Sequence, residues 1–239
     1  MRCRLVSWNI HGCVGSDRRY DPGRVVAVLD RLNPDIIGLQ EVDWRRPDHQ
    51  QLDQFAFLAA RLGMKRIEGP NLRDHRGRYG NGLLTRLEVI RERRIELAYP
   101  GREPRGAIDA ELDGPGGRVR AFVTHLGLLR RERHEQIARL RGAIVAAGHQ
   151  GATVLLGDMN EWTSLRRLRR QLMPWPFAVM VGGRSFPARW PWFALDCIFL
   201  GPRPVRFEGR VLKDRDARAA SDHLPVLVEA EWDPAAAAQ

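Results

Sequence analysis

Five short polar motifs follow or interrupt apolar stretches of strand length, and they restrict what this chain can fold into more than any other feature. They are Ser7-Trp8-Asn9, Leu39-Gln40-Glu41-Val42-Asp43, Thr124-His125-Leu126, Gly157-Asp158-Met159-Asn160 and Ser221-Asp222-His223. The adjoining stretches, 4–6, 35–39, 119–123, 153–156 and 224–228, read as buried strands. An acid, amide or imidazole at the mouth of an apolar strand costs free energy unless it is partnered. Five such breaks are explained together if the strand ends converge on one polar site.

The strands fall into a faint internal repeat. Strand 5–10, a helix over 22–32 and strand 35–39 are echoed by strand 119–124, a helix over 130–147 and strand 153–156. Strands 83–85, 93–97 and 107–112 continue the first half, and strands 195–200, 206–211 and 224–231 continue the second. The segment Asp113-Gly114-Pro115-Gly116-Gly117 predicts a hairpin turn between the halves. Val25, Val28, Leu29 and Leu32 make one apolar helix face, and Leu165, Leu168 and Leu172 make another. These patterns predict an α+β fold, a four-layer α/β/β/α sandwich in which two mainly antiparallel sheets pack face to face under outer helices. One domain is expected over 1–232, with 233–239 as a flexible tail.

A chain of 239 residues buries enough apolar surface to fold without a disulfide or structural metal. Cys3, Cys13 and Cys197 are odd in number and form no CxxC pair, which favours a reducing compartment. With no apolar leader and no run of transmembrane length, the expectation is a cytoplasmic protein. The net charge of +10 invites a polyanion, either nucleic acid or an anionic membrane surface. Lys65 and Lys213 are the only lysines among 39 basic residues, so a general bias toward arginine is the competing explanation.

The motifs offer Asn9, Glu41, Asp158, Asn160, Asp196 and Asp222, with the imidazoles of His125 and His223. There is no cysteine cluster and no HExxH, which disfavours a zinc cage. Oxygen donors suit Mg²⁺ or Mn²⁺. Such an ion neutralises phosphoryl oxygens and a leaving oxyanion. A carboxylate–histidine pair adds acid–base function. Singly, each motif has an ordinary structural explanation, such as an Asx turn at Asp158 and Asn160. Their joint order does not.

With Ser-Trp-Asn-Ile-His-Gly at Asn9, Leu-Gln-Glu-Val at Glu41, Gly80-Asn81-Gly82, Thr124-His125-Leu126, Gly157-Asp158-Met159-Asn160, Leu195-Asp196 and Ser221-Asp222-His223, the chain resembles the endonuclease/exonuclease/phosphatase superfamily, the DNase I-like fold. The resemblance spans nearly the whole chain and is nearest to compact bacterial members. It implies that Glu41 is the principal metal ligand, with Asn9 beside it and Asp222 near the metal. Asp158 would orient or deprotonate the attacking water, Asn160 would hold the phosphate and His125 would contact it. His223 would be the catalytic histidine, with Asp196 fixing its tautomer. Asn81 and Arg105 are weaker candidates for substrate binding. His11, His49, His75, His134 and His149 are read as non-catalytic.

The expected activity is a Mg²⁺-dependent phosphodiesterase, with Mn²⁺ as the other candidate ion, acting most readily on nucleic acid. A phospholipid or sphingomyelinase-like phosphodiesterase, a small-phosphoester phosphatase and a non-catalytic binding module are the alternatives. The histidine at position 125 disfavours abasic-site endonuclease activity. Two features bear on substrate. The rings of the loop 185–193, Trp190 and Trp192 among them, can stack on bases, enter a lipid interface or form a hydrophobic lid. Arg166 and Arg170, with Arg167 and Arg169, can follow a phosphate backbone, sit on anionic headgroups or face solvent. No obligate protein partner is evident.

Overall fold

The computed structural model describes residues 1–45, 53–75, 77–148, 151–173 and 176–233. His49, His149 and the tail beyond residue 233 lie outside the described residues. In chain order, the first half runs β1 (Arg2–Asn9), α1 (Pro22–Leu32), β2 (Ile36–Asp43), α2 (Gln54–Leu62), β3 (Lys65–Asp74), β4 (Gly77–Thr85), β5 (Glu88–Glu96) and β6 (Gly106–Gly114). The second runs β7 (Gly117–His125), α3 (Arg130–Ala146), β8 (Ala152–Asp158), α4 (Leu165–Leu172), β9 (Val179–Gly182), β10 (Asp196–Gly201), β11 (Arg206–Val211), α5 (Arg215–Ala220) and β12 (Val226–Glu231).

The strands form two six-stranded sheets, ordered β11-β12-β1-β2-β4-β3 and β5-β6-β7-β8-β10-β9. The repeat is therefore real, with an exchange that the sequence pattern does not show. Strands β1–β4 and β7–β10 occupy equivalent places, and each half sends its last two strands to the other half's sheet. The pairs β1/β2 and β7/β8 are parallel, and the other pairs are antiparallel.

Period-two alternation sorts side chains between layers. Leu5, Ile36, Val123, Val154 and Leu156 point between the sheets. Val6, Trp8, Ile37 and Leu39 point outward under α1 and α2, and Phe122, Leu155 and Phe199 point outward under α3 and α4. The result is the expected four-layer sandwich. Gly38 sits where the sheets approach closely, and a Cβ there would meet the Leu156 Cβ at 2.8 Å.

Local chemistry sets the boundaries. Asp21 caps α1 by accepting from Arg24 N at 3.3 Å, Pro22 opens the helix, and Asn33 closes it in the left-handed region with φ 45°. Asp113-Gly114-Pro115-Gly116-Gly117 turns β6 into β7, with Gly116 and Gly117 at positive φ. The sequence pattern misses α2, β3, β9 and α5. Strand β3 carries Gly69, Pro70 and Asn71, which read as a loop. It survives as an edge strand with a register shift between Pro70 and Leu72. Among the described residues no helix is long and apolar enough to cross a membrane.

Candidate active site

Strand register brings the polar motifs to one rim. Asn9 stands beside Gln40 across the parallel β1/β2 pair, and His125 stands beside Asp158 across β7/β8. Asp196 opens β10 directly opposite Asp158. The backbone then leaves the strands in unusual conformations. His11, Gly12 and Cys13 all have positive φ (48°, 56° and 56°), and so do Glu41 (59°) and Asn160 (47°). Left-handed backbone at non-glycine residues costs on the order of 1 kcal/mol each and persists where surrounding contacts enforce it. Here those contacts are the site itself.

Asn9 joins the two halves. Its Nδ2 donates to Glu41 Oε1 at 2.9 Å and to Asp158 Oδ2 at 3.1 Å, and its Oδ1 accepts from His11 N at 3.1 Å. Asp158 Oδ1 accepts from Asn160 N at 2.9 Å. Its Oδ2 lies 3.4 Å from His125 Nε2 and 3.8 Å from His223 Nε2. Asp196 Oδ2 holds His223 Nδ1 at 2.8 Å and also accepts from the Ser185 hydroxyl. Ser221 Oγ donates to Asn9 O at 2.7 Å, and Trp8 Nε1 donates to His223 O at 2.9 Å, which fixes the last loop against β1.

The charge states follow from this network. Burial raises the Asp158 carboxyl, and Asp196 adds to the effect, bringing it to about 7 despite His223 and the amide donors. Burial works against the His223 imidazolium, but Asp196 and Asp158 outweigh it and hold that group up to about 10. His125 is pushed well below the ordinary imidazole range by burial, then by Arg105 and His223, so it is neutral. Arg105 Nη1 lies 3.3 Å from His125 Nδ1 and can only donate. Asn160 Nδ2, which likewise can only donate, lies 3.0 Å from His125 Nε2 and 2.8 Å from Leu126 O, so both ring nitrogens of His125 face donors.

The donor chemistry fits a hard divalent cation. Glu41, Asp158, Asp196 and Asp222 crowd one rim with His223 as the charged imidazole among them, and burial raises the Asp222 carboxyl too. A divalent ion would offset this excess of negative charge with oxygen ligands. Among the described residues, Asp158, Asp196 and His223 have ligand atoms all within 4.8 Å of one another. His223 is protonated and locked to Asp196, so it is a poor ligand. Glu41 is half-buried and lines a cleft of about 500 Å³ with His11, Arg18, Tyr79 and Glu103. Glu41, with Asn9 beside it, could therefore hold an ion from the open side.

The sequence-named residues Asn9, Glu41, His125, Asp158, Asn160, Asp196 and His223 are joined by these contacts. Asp222 lies at the same rim, 3.7 Å from His11 Nδ1. Arg105 is buried between His125 and Glu103, at 2.8 Å from the latter. Among the described residues, Asn81 bonds to no site side chain. It donates to Gly106 O at 2.9 Å and so steadies the strand that follows Arg105. Trp190 and Trp192 are 67% and 68% exposed, so they are not lid residues, whereas Phe186 and Phe193 pack on Trp162. Arg166 is exposed on α4. Sequence reasoning misses Tyr79 and Ser185, and it reads His11, which lines the Glu41 cleft, as non-catalytic. Tyr79, its hydroxyl pushed up by burial and by Glu41, donates to Glu41. The adjacent motifs Asn9-Ile-His11-Gly12 and Tyr79-Gly80-Asn81 were the available signals.

Residues 6–223 match the sequence profile of the Endonuclease/Exonuclease/phosphatase family. The chain is 25% identical over 248 residues to the protein YbhP of Escherichia coli (strain K12), with 95% of each covered. It shares its fold with an endonuclease/exonuclease/phosphatase from Beutenbergia cavernae, at 23% identity and a TM-score of 0.75, covering 97% of this chain and 72% of that one. A second, from Bacteroides vulgatus, gives 20% identity and a TM-score of 0.76, covering 98% and 100%.

Proposed function

The chain belongs to the endonuclease/exonuclease/phosphatase family of metal-dependent phosphoric ester hydrolases, and we propose that it is a Mg²⁺-dependent phosphodiesterase acting on nucleic acid. The observation that carries the reading is the buried network in which Asn9 ties Glu41 to Asp158 while Asp196 charges His223. Glu41 and Asn9, with Asp222 beside them, would hold the ion. Bound there, it would neutralise phosphoryl oxygens and the leaving oxyanion.

The remaining chemistry belongs to the chain's own side chains. Asp158, poised near 7, takes a proton from the water that attacks phosphorus in line with the leaving oxygen. The His223 imidazolium faces the negative charge that develops on the phosphoryl group, and Asp196 keeps it protonated. Neutral His125 and Asn160 orient the phosphate from the second half, and Arg105 lies against His125 Nδ1 at 3.3 Å. The three free, buried cysteines suit a reducing cytoplasm, and we place the protein there as one domain over 1–232.

A second reading, the same chemistry at a lipid surface, is favoured by the exposure of Trp190 and Trp192. The test is hydrolysis in Mg²⁺ and separately in Mn²⁺ of plasmid DNA, single-stranded RNA, sphingomyelin, anionic phospholipid and inositol phosphates, with His223→Ala as control. Nucleic-acid cleavage that disappears in the variant supports the proposal. Lipid turnover without cleavage of nucleic acid moves the function to the second reading.

A further inference from the structure

A groove of about 630 Å³ runs between the start of α3 and helix α4. Arg130, Arg131 and Arg133 line it from α3, and Arg167 and Arg170 from α4. His134 Nδ1 and Gln171 Nε2 meet across it at 2.9 Å. Two acids also line it, and both are already engaged. Glu161 Oε1 accepts from Thr163 N at 3.0 Å, from Thr163 Oγ1 at 2.6 Å and from Ser164 N at 3.1 Å, and its Oε2 faces Arg133 Nη2 at 3.5 Å. Glu135 reaches Arg139 at 3.8 Å. Among the described residues, no carboxylate lies within ion-pair distance of Arg130, Arg131 or Arg170.

Arg133 is buried in the groove wall, and its Nε has no hydrogen-bond partner. A buried guanidinium N–H left unpaired is a standing cost, and the field of a nearby anion would offset part of it. The same arginine ties the groove to the catalytic rim. Its Nη1 donates to Leu128 O at 2.6 Å and to Gly127 O at 3.3 Å, just beyond His125-Leu126, and Glu161 directly follows Asn160. The groove wall thus begins where the loops carrying His125 and Asn160 end.

We propose that this groove is a second phosphate site, which holds a non-scissile phosphate of the nucleic-acid strand whose neighbouring phosphodiester lies at the catalytic rim; it rests on the nucleic-acid reading above. Planar guanidinium groups match phosphate oxygens bidentately, and the 17-residue helix α3 directs its positive end at the same place. A strand fits better than a bilayer because the cations line the walls of a concavity, whereas a headgroup plane meets protruding groups. Of the α4 arginines named from the sequence, Arg167 and Arg170 line the groove.

The experiment is binding of a fluorescent hexathymidylate to the metal-free protein in EDTA, at several salt concentrations, for wild type and Arg131→Ser/Arg170→Ser. Both arginines are exposed, and circular dichroism with thermal melting verifies the variant's fold. The expected result is a loss of about tenfold or more in affinity at low salt. The slope of log affinity against log salt should become shallower by about 1.4, for two phosphate contacts at about 0.7 each. Unchanged affinity and slope would overturn the proposal. So would binding to phosphatidylglycerol vesicles that falls in the variant while hexathymidylate binding does not. No bond is cleaved in EDTA, so a protein that binds the strand through these arginines but never hydrolyses it keeps the groove and defeats the catalytic reading alone.

Discussion

At the rim, the first half of the chain presents Asn9 and Glu41 from β1 and β2, and the second presents His125 and Asp158 from the equivalent strands β7 and β8. The two surroundings differ. Glu41 is half-buried beside an open cleft, with Tyr79, Arg18 and Glu103 around it. His125, Asp158 and Asn160 are buried and bonded to one another, to Asn9 or to the backbone just past β7. An ion that must enter and exchange needs the open side. Groups that handle protons and developing charge gain from the closed side, where water does not screen them. One repeated frame thus carries two environments, and Asn9 is the hydrogen-bonded link between them.

The largest effect should come from the closed side. His223→Ala is expected to lower kcat by about 10³-fold or more without unfolding the protein, read by steady-state hydrolysis and circular dichroism. A loss of only a few-fold would make the two sides equivalent and break the comparison. Asp196→Asn should cost about 3 kcal/mol of stability near pH 6, because it leaves the buried imidazolium without its partner. The sign follows from His223, which is raised from 6.5 to about 10 in the folded protein. Its contribution is whole below pH 6.5 and fades as pH rises through 10. Urea midpoints should therefore show the variant's deficit shrinking between pH 6 and pH 10, and a constant deficit would place the charge elsewhere.

The frame beneath both sides is tested by Gly38→Ala. A Cβ at that position meets Leu156 and Val123, so a destabilisation of about 2 kcal/mol is expected by denaturant melt, with kcat little changed. The smallest effect belongs to the open side. Glu41→Asn suits the left-handed backbone better and removes one of the crowded acids, so it should raise stability by about 1 kcal/mol while lowering turnover at low Mg²⁺. A less stable variant would mean that Glu41 supports the fold rather than the ion.

Much of this was legible in the sequence because strand-end polarity is a local signal. Helix α1 announces itself through Asp21, Pro22 and its apolar stripe, and the β6/β7 hairpin through its glycines. Strand β3 was hidden because an edge position tolerates Gly69 and Pro70. The exchange of strands between sheets was hidden because the repeat fixes the order along the chain, while pairing is set by packing of Leu5, Ile36, Val123 and Leu156 between the layers. In the site, the residues named by motif converge. Ser185 escaped because it sits in the aromatic loop 11 residues before Asp196, and Tyr79 because its partner Glu41 is distant in sequence. The α3–α4 groove escaped for the same reason, since its arginines come from two helices about 40 positions apart along a generally arginine-rich chain.

The most direct measurement is hydrolysis of bis(p-nitrophenyl) phosphate as a function of Mg²⁺ concentration for wild type, Glu41→Gln and His223→Gln. If the halves divide the labour as their rims suggest, Glu41→Gln will regain part of its activity at high Mg²⁺, because its defect is ion affinity. His223→Gln will stay inactive at every concentration. Recovery of His223→Gln by Mg²⁺, with Glu41→Gln indifferent to it, would contradict the assignment of the ion to the first half.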